Sequence, residues 1–290
     1  MSLLQNLSRG DAATTRAVVV FPHAGGCPRF YRHWADEFPE HRIIGVMYAG
    51  REQRLQVPLP DSVTEIAREA AHALAPRAEE LTFFGHSFGA LVAYQTAVEL
   101  AHSGRPPGLL VISGHDAPLT GPPPDVGYLT ENYVLRDLIR LDPRNREVFS
   151  DPWLREIYLP AICNDYRLAN RYRRCTGNPL LPRIAVVNGS EDGEVTERGS
   201  MAWCELTHRF SGVTRVPGGH FHLAAPNVAC AHVVRDMIDG SRECTDPQRV
   251  HAVTPANSGD RCTTTVPSTV DGACNQGHEG AMRCESRQRI

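Results

Sequence analysis

Short apolar runs alternate with helical patterns along the first 240 residues, and this alternation restricts the fold more than any other feature of the chain. The runs are RAVVVF (16–21), RIIGVMY (42–48), ELTFFG (80–85), GLLVIS (108–113), RIAVVN (183–188) and GVTRVP (212–217). Nearly continuous apolar strands are typical of a parallel sheet that helices cover on both faces. The alternation therefore predicts an α/β fold with a mostly parallel, doubly wound sheet.

The segments between these runs carry helix signals. Phe30, Trp34 and Phe38 recur at four-residue spacing, which aligns them on one face of a helix. Ser62 and Glu65 form an S-x-x-E capping box ahead of an alanine-rich segment, which predicts that a helix begins there.

The alternation stops between His115 and Thr176. Two apolar helical stripes occur there: Val134, Leu135, Leu138 and Ile139 in the first, and Trp153, Leu154, Ile157, Tyr158 and Ile162 in the second, which Pro160 interrupts. They could form an additional pair of core helices or a lid over a substrate channel. Long insertions into compact domains are usually functional, so the lid, over about residues 115–176, is the favoured interpretation.

Composition changes at about Ser241. Residues 241–290 are polar, rich in Thr, Ser, Gly and Pro, and show no periodicity, which predicts a disordered tail after a folded domain of residues 1–240. Four of the nine cysteines lie in this tail, and no cysteine or histidine spacing in the chain matches a zinc site. We therefore expect no metal.

The charge of the chain excludes several functions. The net charge is −3, which gives no reason to expect a nucleic-acid partner. All 30 basic residues are arginine, so no lysine is available for a Schiff base or for a P-loop. No segment is apolar and long enough for a signal peptide or a membrane span, and we therefore expect a cytoplasmic protein without a membrane partner.

A possible nucleophile lies in GHSFG at residues 85–89. This G-x-S-x-G pattern follows a predicted strand and precedes a predicted helix, as a nucleophile elbow must. Glycines on both sides allow a tight, strained turn that lifts the serine hydroxyl above the sheet edge. The context favours Ser87 as a nucleophile over a plain small-residue turn.

The general base should follow the nucleophile and the acid along the chain. His220 follows a predicted strand on a glycine-rich loop, GGH, and is the preferred base. His222, two residues further along the same loop, is the serious alternative.

The acid is expected on the loop after the preceding strand, in NGSEDGEV. Asp192 lies where this loop turns, and its carboxylate could accept the Nδ1–H of His220 and fix the tautomer. Glu191 is the second choice.

Two backbone N–H groups are needed to stabilise an oxyanion. One should come from Phe88, the residue after the nucleophile, and the other from the loop after the first strand. That loop reads FPHAGG (21–26), and Ala24 is the expected donor.

In order and spacing, seven segments resemble the type II thioesterases, which are stand-alone enzymes of the α/β-hydrolase fold. The segments are FPHAGG (21–26), YAGREQRL (48–55), GHSFGA (85–90), SGHDAP (113–118), LPAICNDYRLANRY (159–172), GSEDGEV (189–195) and GGHFHL (218–223). By matching position, the family's nucleophile, acid and base fall on Ser87, Asp192 and His220. The chain departs from the family at Ala49, where proline is common, at His222, where an aromatic residue is common, and in its long tail.

The resemblance implies a function. Enzymes of this family serve polyketide synthases and nonribosomal peptide synthetases by hydrolysing stalled or misprimed acyl groups from the phosphopantetheine arm of carrier domains. The expected partners are thus acyl or peptidyl carrier domains and small acyl thioesters, with no cofactor. The alternatives are a lipase-like carboxylesterase of small esters on the same fold and a catalytically silent binding protein, which the complete set of catalytic residues disfavours.

Overall fold

The computed structural model describes residues 2–9, 14–77, 80–240 and 250–252. Within them, eight strands form a single sheet in the spatial order β1-β3-β2-β4-β5-β6-β7-β8. Every neighbouring pair is parallel except β1 and β3. The strands are β1 (Leu4–Asn6), β2 (Arg16–Phe21), β3 (Arg42–Val46), β4 (Glu80–His86), β5 (Leu109–Ser113), β6 (Leu181–Gly189), β7 (Thr207–Val216) and β8 (Val250–Ala252).

Helices cover both faces of this sheet. The α-helices are α1 (Val63–Leu74), α2 (Phe88–His102), α3 (Glu131–Leu141), α4 (Asn145–Val148), α5 (Pro152–Arg171), α6 (Glu197–Met201) and α7 (Ala229–Ile238), and 3₁₀ helices span Pro28–Asp36, Glu52–Arg54 and Ala202–Leu206. Alternate residues of β2 point to opposite sides: Val19 packs with α1 and α2, and Val18 packs with α7 and the first 3₁₀ helix. The predicted doubly wound α/β sheet is confirmed.

The helix starts follow local chemistry. Ser62 Oγ accepts the Glu65 N–H at 3.1 Å, and Glu65 Oε2 accepts the Asp61 N–H at 2.8 Å, so the predicted cap begins α1. The predicted helix with Phe30 and Trp34 is a 3₁₀ helix that ends at Asp36, before Phe38, and the rings of Trp34 and Phe38 are stacked and buried.

An insertion of three helices, α3 to α5, lies between β5 and β6, and we refer to residues 114–180 as the insertion. The second predicted stripe was wrong in detail. Helix α5 runs through Pro160 without interruption, and Trp153 and Tyr158 are exposed. The stripe that is buried includes Leu159, Ile162 and Cys163, because these positions of α5 face Val134 and Leu138 of α3.

Three residues of the predicted disordered tail form β8, which pairs with β7 at the edge of the sheet. A three-residue strand in a polar segment gives too short a pattern to recognise from sequence. The rest of the predicted tail, 241–249 and 253–290, lies outside the described residues. No helix in the described ranges is long and apolar enough to cross a membrane.

Candidate active site

Ser87 occupies a strained turn between β4 and α2. Its backbone has φ 53° and ψ −121°, in the left-handed region that residues other than glycine rarely adopt. Its N–H donates to the carbonyl of Ser113 at 2.8 Å. The turn requires glycine on both sides of Ser87. A Cβ on Gly89 would overlap the carbonyl oxygens of Phe21 and Pro22, and a Cβ on Gly85 would overlap the backbone in the first turn of α2.

His220 and Asp192 are paired on adjacent loops that follow β7 and β6. Nδ1–H of His220 donates to both carboxylate oxygens of Asp192, at 3.0 and 3.1 Å. The side chain of Asp192 is fully buried and that of His220 is 8% exposed. Burial works to raise the pKa of Asp192, but the hydrogen bond from His220, the electrostatic influence of its ring and the Glu194 N–H together lower it. Asp192 is therefore held as a carboxylate, whereas the alternative acid Glu191 is exposed.

One cavity of about 330 Å³ contains both Ser87 and His220 in its wall. Ala24 and Phe88 line it from the sheet side. The insertion supplies the opposite wall: Tyr133, Asp137, Leu138, Arg140 and Leu141 from α3, and Tyr166, Ala169 and Asn170 from α5. A volume of this size is at the lower end of small-molecule sites.

Two backbone N–H groups are suitably free. Phe88 is the first residue of α2, where N–H groups have no partner within the helix. In the part of the chain that the structure describes, neither the Phe88 N–H nor the Ala24 N–H donates a hydrogen bond. Both residues line the cavity beside Ser87, as an oxyanion hole requires.

His222, the alternative base, has a different environment from His220. It is 3% exposed, and burial lowers its pKa to about 4. Its Nδ1–H donates to the Gly219 carbonyl at 3.2 Å, so its Nε2 accepts from the Ser113 hydroxyl at 3.2 Å. Ser113 is fully buried, and neither residue of this second Ser–His pair lies in the cavity wall.

The sequence did not reveal that His86 belongs to the same buried chain of hydrogen bonds. Its Nδ1 lies 3.1 Å from the Ser113 hydroxyl, and burial holds its pKa well below the usual value for histidine. This chain joins the residue before Ser87 to the loop that carries His220. The only sequence signal was a histidine and a serine, each at the carboxyl end of a strand.

His23 was also missed. It lines the cavity next to Ala24, and burial lowers its pKa to about 3. Its ring lies 5.0 Å from Phe221, the residue between the two loop histidines. Despite these several histidines, the described residues contain no cluster with the composition of a metal site.

A serine on a strained turn, a buried His–Asp pair and two free N–H groups around one cavity are the groups that acyl transfer by a covalent intermediate requires. A family model for the thioesterase domain matches residues 16–239. The chain belongs to the thioesterase family. It is thus a hydrolase that acts on thioesters.

Individual relatives agree with this family. The thioesterase is 33% identical over 211 residues to thioesterase PikA5 of Streptomyces venezuelae, covering 71% of this chain and 75% of the relative. It resembles the solved type II thioesterase BorB of the borrelidin cluster with 29% identity and a TM-score of 0.71, covering 81% and 96% of the two chains. RedJ, a thioesterase of prodiginine biosynthesis in Streptomyces coelicolor, matches with 28% identity and a TM-score of 0.68, over 79% and 87%.

Proposed function

We propose that this thioesterase releases aberrant or stalled acyl groups from the phosphopantetheine arms of carrier domains in polyketide or nonribosomal peptide assembly. The match to BorB extends over nearly the whole length of BorB, which is a type II thioesterase of the borrelidin biosynthetic cluster. RedJ is a thioesterase of the prodiginine biosynthetic pathway. The observation that carries the chemistry is the buried His220–Asp192 pair in the same cavity as Ser87.

In the proposed mechanism, His220 Nε2 takes the proton of the Ser87 hydroxyl while Oγ attacks the thioester carbonyl carbon. The tetrahedral intermediate collapses by breaking the carbon–sulfur bond, and the imidazolium gives its proton to the leaving pantetheine thiolate. Water then donates a proton to His220 and attacks the acyl-enzyme, which releases the acid and regenerates Ser87. The Asp192 carboxylate fixes the tautomer of His220 and stabilises its positive charge.

Charge that develops on the carbonyl oxygen would be stabilised by the N–H groups of Phe88 and Ala24. Both belong to backbone that is already fixed, one at a helix N-terminus and the other in a loop anchored by hydrogen bonds. Such preorganised donors usually contribute a large part of the rate enhancement in acyl transfer.

We also propose that the insertion is the lid of this site. Leu138 and Leu141 of α3 line the cavity, so the helix roofs the space that an acyl chain would occupy. Part of the wall is polar: the Tyr166 hydroxyl donates to Asp137 Oδ2 at 2.9 Å, and Arg140 donates to Asp137 and Glu194. The limited volume and this polar wall favour short acyl groups.

Substitution of the three central residues tests the mechanism. Ser87→Ala and His220→Ala should each lower kcat/KM for an acyl thioester by about 10³-fold or more, and Asp192→Asn should also be severe. His222→Ala is the matched control, since its imidazole is outside the cavity wall, and it should lose much less. Equal losses at His220 and His222, with both proteins folded, would contradict the assignment of the base.

A further inference from the structure

A buried ion pair joins the loop after β3 to helix α5. Arg51 Nη2 lies 3.0 and 2.8 Å from the two carboxylate oxygens of Asp165. The two side chains are only 5% and 3% exposed. A charge pair so far from water is a poor means of stabilisation unless its remaining hydrogen-bonding groups are also satisfied.

Those remaining groups are satisfied by the loop that contains Ala24. The Gly25 N–H donates to Asp165 Oδ2 at 2.9 Å, and Arg51 Nη1 donates to the Gly26 carbonyl at 3.1 Å. The two glycines that follow Ala24 are thereby each attached to the ion pair. Asp165 accepts the Gly25 N–H and the His23 carbonyl accepts the Gly26 N–H, so among these three residues of the described loop only the Ala24 N–H donates no hydrogen bond, and Ala24 lines the cavity.

The same loop is fixed on its other side by Tyr48. The Tyr48 hydroxyl donates to the Pro22 carbonyl at 3.1 Å, and the Arg51 guanidinium lies over the Tyr48 ring, 5.2 Å from its centroid. Ala24 therefore lies between two anchored stretches of backbone.

Helix α5 also packs directly on this loop. Gly25 has a φ of 73°, and a Cβ there would come within 2.8 Å of Ile162 Cγ1 on α5. Asp165, one turn further along α5, reaches the same residue through its carboxylate. The insertion and the Ala24 loop thus touch through both an apolar contact and a charged contact.

We infer that Arg51 and Asp165 are positioning residues that orient the Ala24 N–H towards the substrate carbonyl. Because Asp165 belongs to α5, this orientation also depends on the position of α5 against the loop. The inference rests on the proposed function, in which Ala24 is an oxyanion donor. Small displacements of such a donor are costly, since about 1 Å of misplacement can reduce a rate by about 10²-fold.

The test compares acyl thioesters of N-acetylcysteamine with the matching dithioesters, in which sulfur replaces the carbonyl oxygen. Sulfur is a weaker hydrogen-bond acceptor, so a working oxyanion hole gives a high oxygen-to-sulfur ratio of kcat/KM. Asp165→Asn should lower kcat for the thioester by about 10- to 100-fold with KM changed by less than about threefold, and should lower this ratio. A loss of folded enzyme alone would leave the ratio unchanged.

A double variant removes the risk that a lone buried charge unfolds the protein. Arg51→Met with Asp165→Leu eliminates both charges and keeps apolar volume under α5, but it leaves the Gly25 N–H and the Gly26 carbonyl without these partners. We expect its melting temperature to be closer to wild type than that of Asp165→Asn, while kcat and the ratio stay low.

The control is Tyr172→Phe, which removes a buried hydrogen bond of 2.6 Å from the end of α5 to Gln95 without touching the Ala24 loop. Its ratio should equal that of wild type. If Asp165→Asn or the double variant is folded and has the same oxygen-to-sulfur ratio of kcat/KM as wild type, the inference is overturned and the proposed function stays intact. Failure of the wild-type enzyme to hydrolyse the thioester would instead contradict the proposed function.

Discussion

At the scale of single residues, two histidines on the same loop, His220 and His222, differ in location and in hydrogen-bond partners. His220 faces the cavity and donates to a carboxylate, whereas His222 faces the interior and accepts from Ser113. Burial keeps His222 neutral, because its pKa is lowered from 6.5 to about 4. We therefore propose that His222 supports the loop geometry and takes no part in the proton transfers.

Titration separates the two roles. His222→Gln should reduce kcat/KM by less than about tenfold and leave the acidic limb of its pH profile between pH 5 and 9 unchanged. The exposed His208, which lies in β7, provides the control variant His208→Gln. Loss or displacement of the acidic limb in His222→Gln alone would mean that His222 is the base.

His222 also makes the folding stability depend on pH, and the direction follows from its lowered pKa. A histidine whose pKa is lower in the folded state opposes folding as it is protonated, so its cost grows as the pH falls from 6.5 towards 4. The free energy of unfolding of His222→Gln should therefore decrease less steeply than that of wild type across this window, as urea unfolding at several pH values would measure.

At the scale of secondary-structure elements, α3 supplies part of the wall of the proposed acyl site. Leu138 is 8% exposed, lines the main cavity and also lines a second cavity of about 170 Å³ beside Ala24 and Phe149. A larger side chain at this position would fill space that only the longer acyl groups need.

Leu138→Trp should therefore lower kcat/KM for hexanoyl thioesters more than for acetyl thioesters, by about tenfold or more. The control is Arg136→Trp, on the exposed side of the same helix. An equal loss for both chain lengths would indicate that Leu138 supports the fold and does not bound the acyl site.

Elements of the sheet could be predicted from sequence because each buried strand carries its own apolar pattern. The six predicted strands and the elbow turn at Gly85 and Gly89 depend on local chemistry alone. Strand β1 was missed because three residues at an antiparallel edge carry no such pattern. Pro160 was misread because an isolated proline signals a break, whereas tertiary packing keeps α5 continuous.

The site itself was only partly predictable. Chain order and strand ends are sufficient to nominate Ser87, Asp192 and His220, and their roles remain predictions. The hydrogen bonds of Ser113 with His86 and His222, and those of Asp165 with the Ala24 loop, join residues that are distant in sequence. No local pattern encodes such contacts, since they depend on how the loops pack once the sheet has formed.

At the scale of the whole molecule, the proposed catalytic groups converge because they follow the carboxyl ends of parallel strands: Ala24 after β2, Ser87 after β4, Asp192 after β6 and His220 after β7. None of them lies beyond residue 240. We propose that the catalytic domain needs no residue after β8.

Truncation tests this proposal. A chain that ends at Pro255 should keep the wild-type kcat/KM and melting temperature. A chain that ends at Gly240 should also be active but melt at a lower temperature, because it loses the pairing of Val250–Ala252 with β7. Inactivity of the Pro255 chain would show that the later residues contribute to the site.

We propose that the enzyme hydrolyses carrier-bound acyl thioesters through Ser87. Contacts with a carrier domain provide binding energy remote from the reacting carbonyl, which can be used to orient it. The most direct measurement offers one acyl group on a carrier domain, on coenzyme A and as a p-nitrophenyl ester, with Ser87→Ala as the blank. We expect the highest kcat/KM for the carrier-bound group. Fastest hydrolysis of the free ester, with no gain from the carrier domain, would contradict the proposed function.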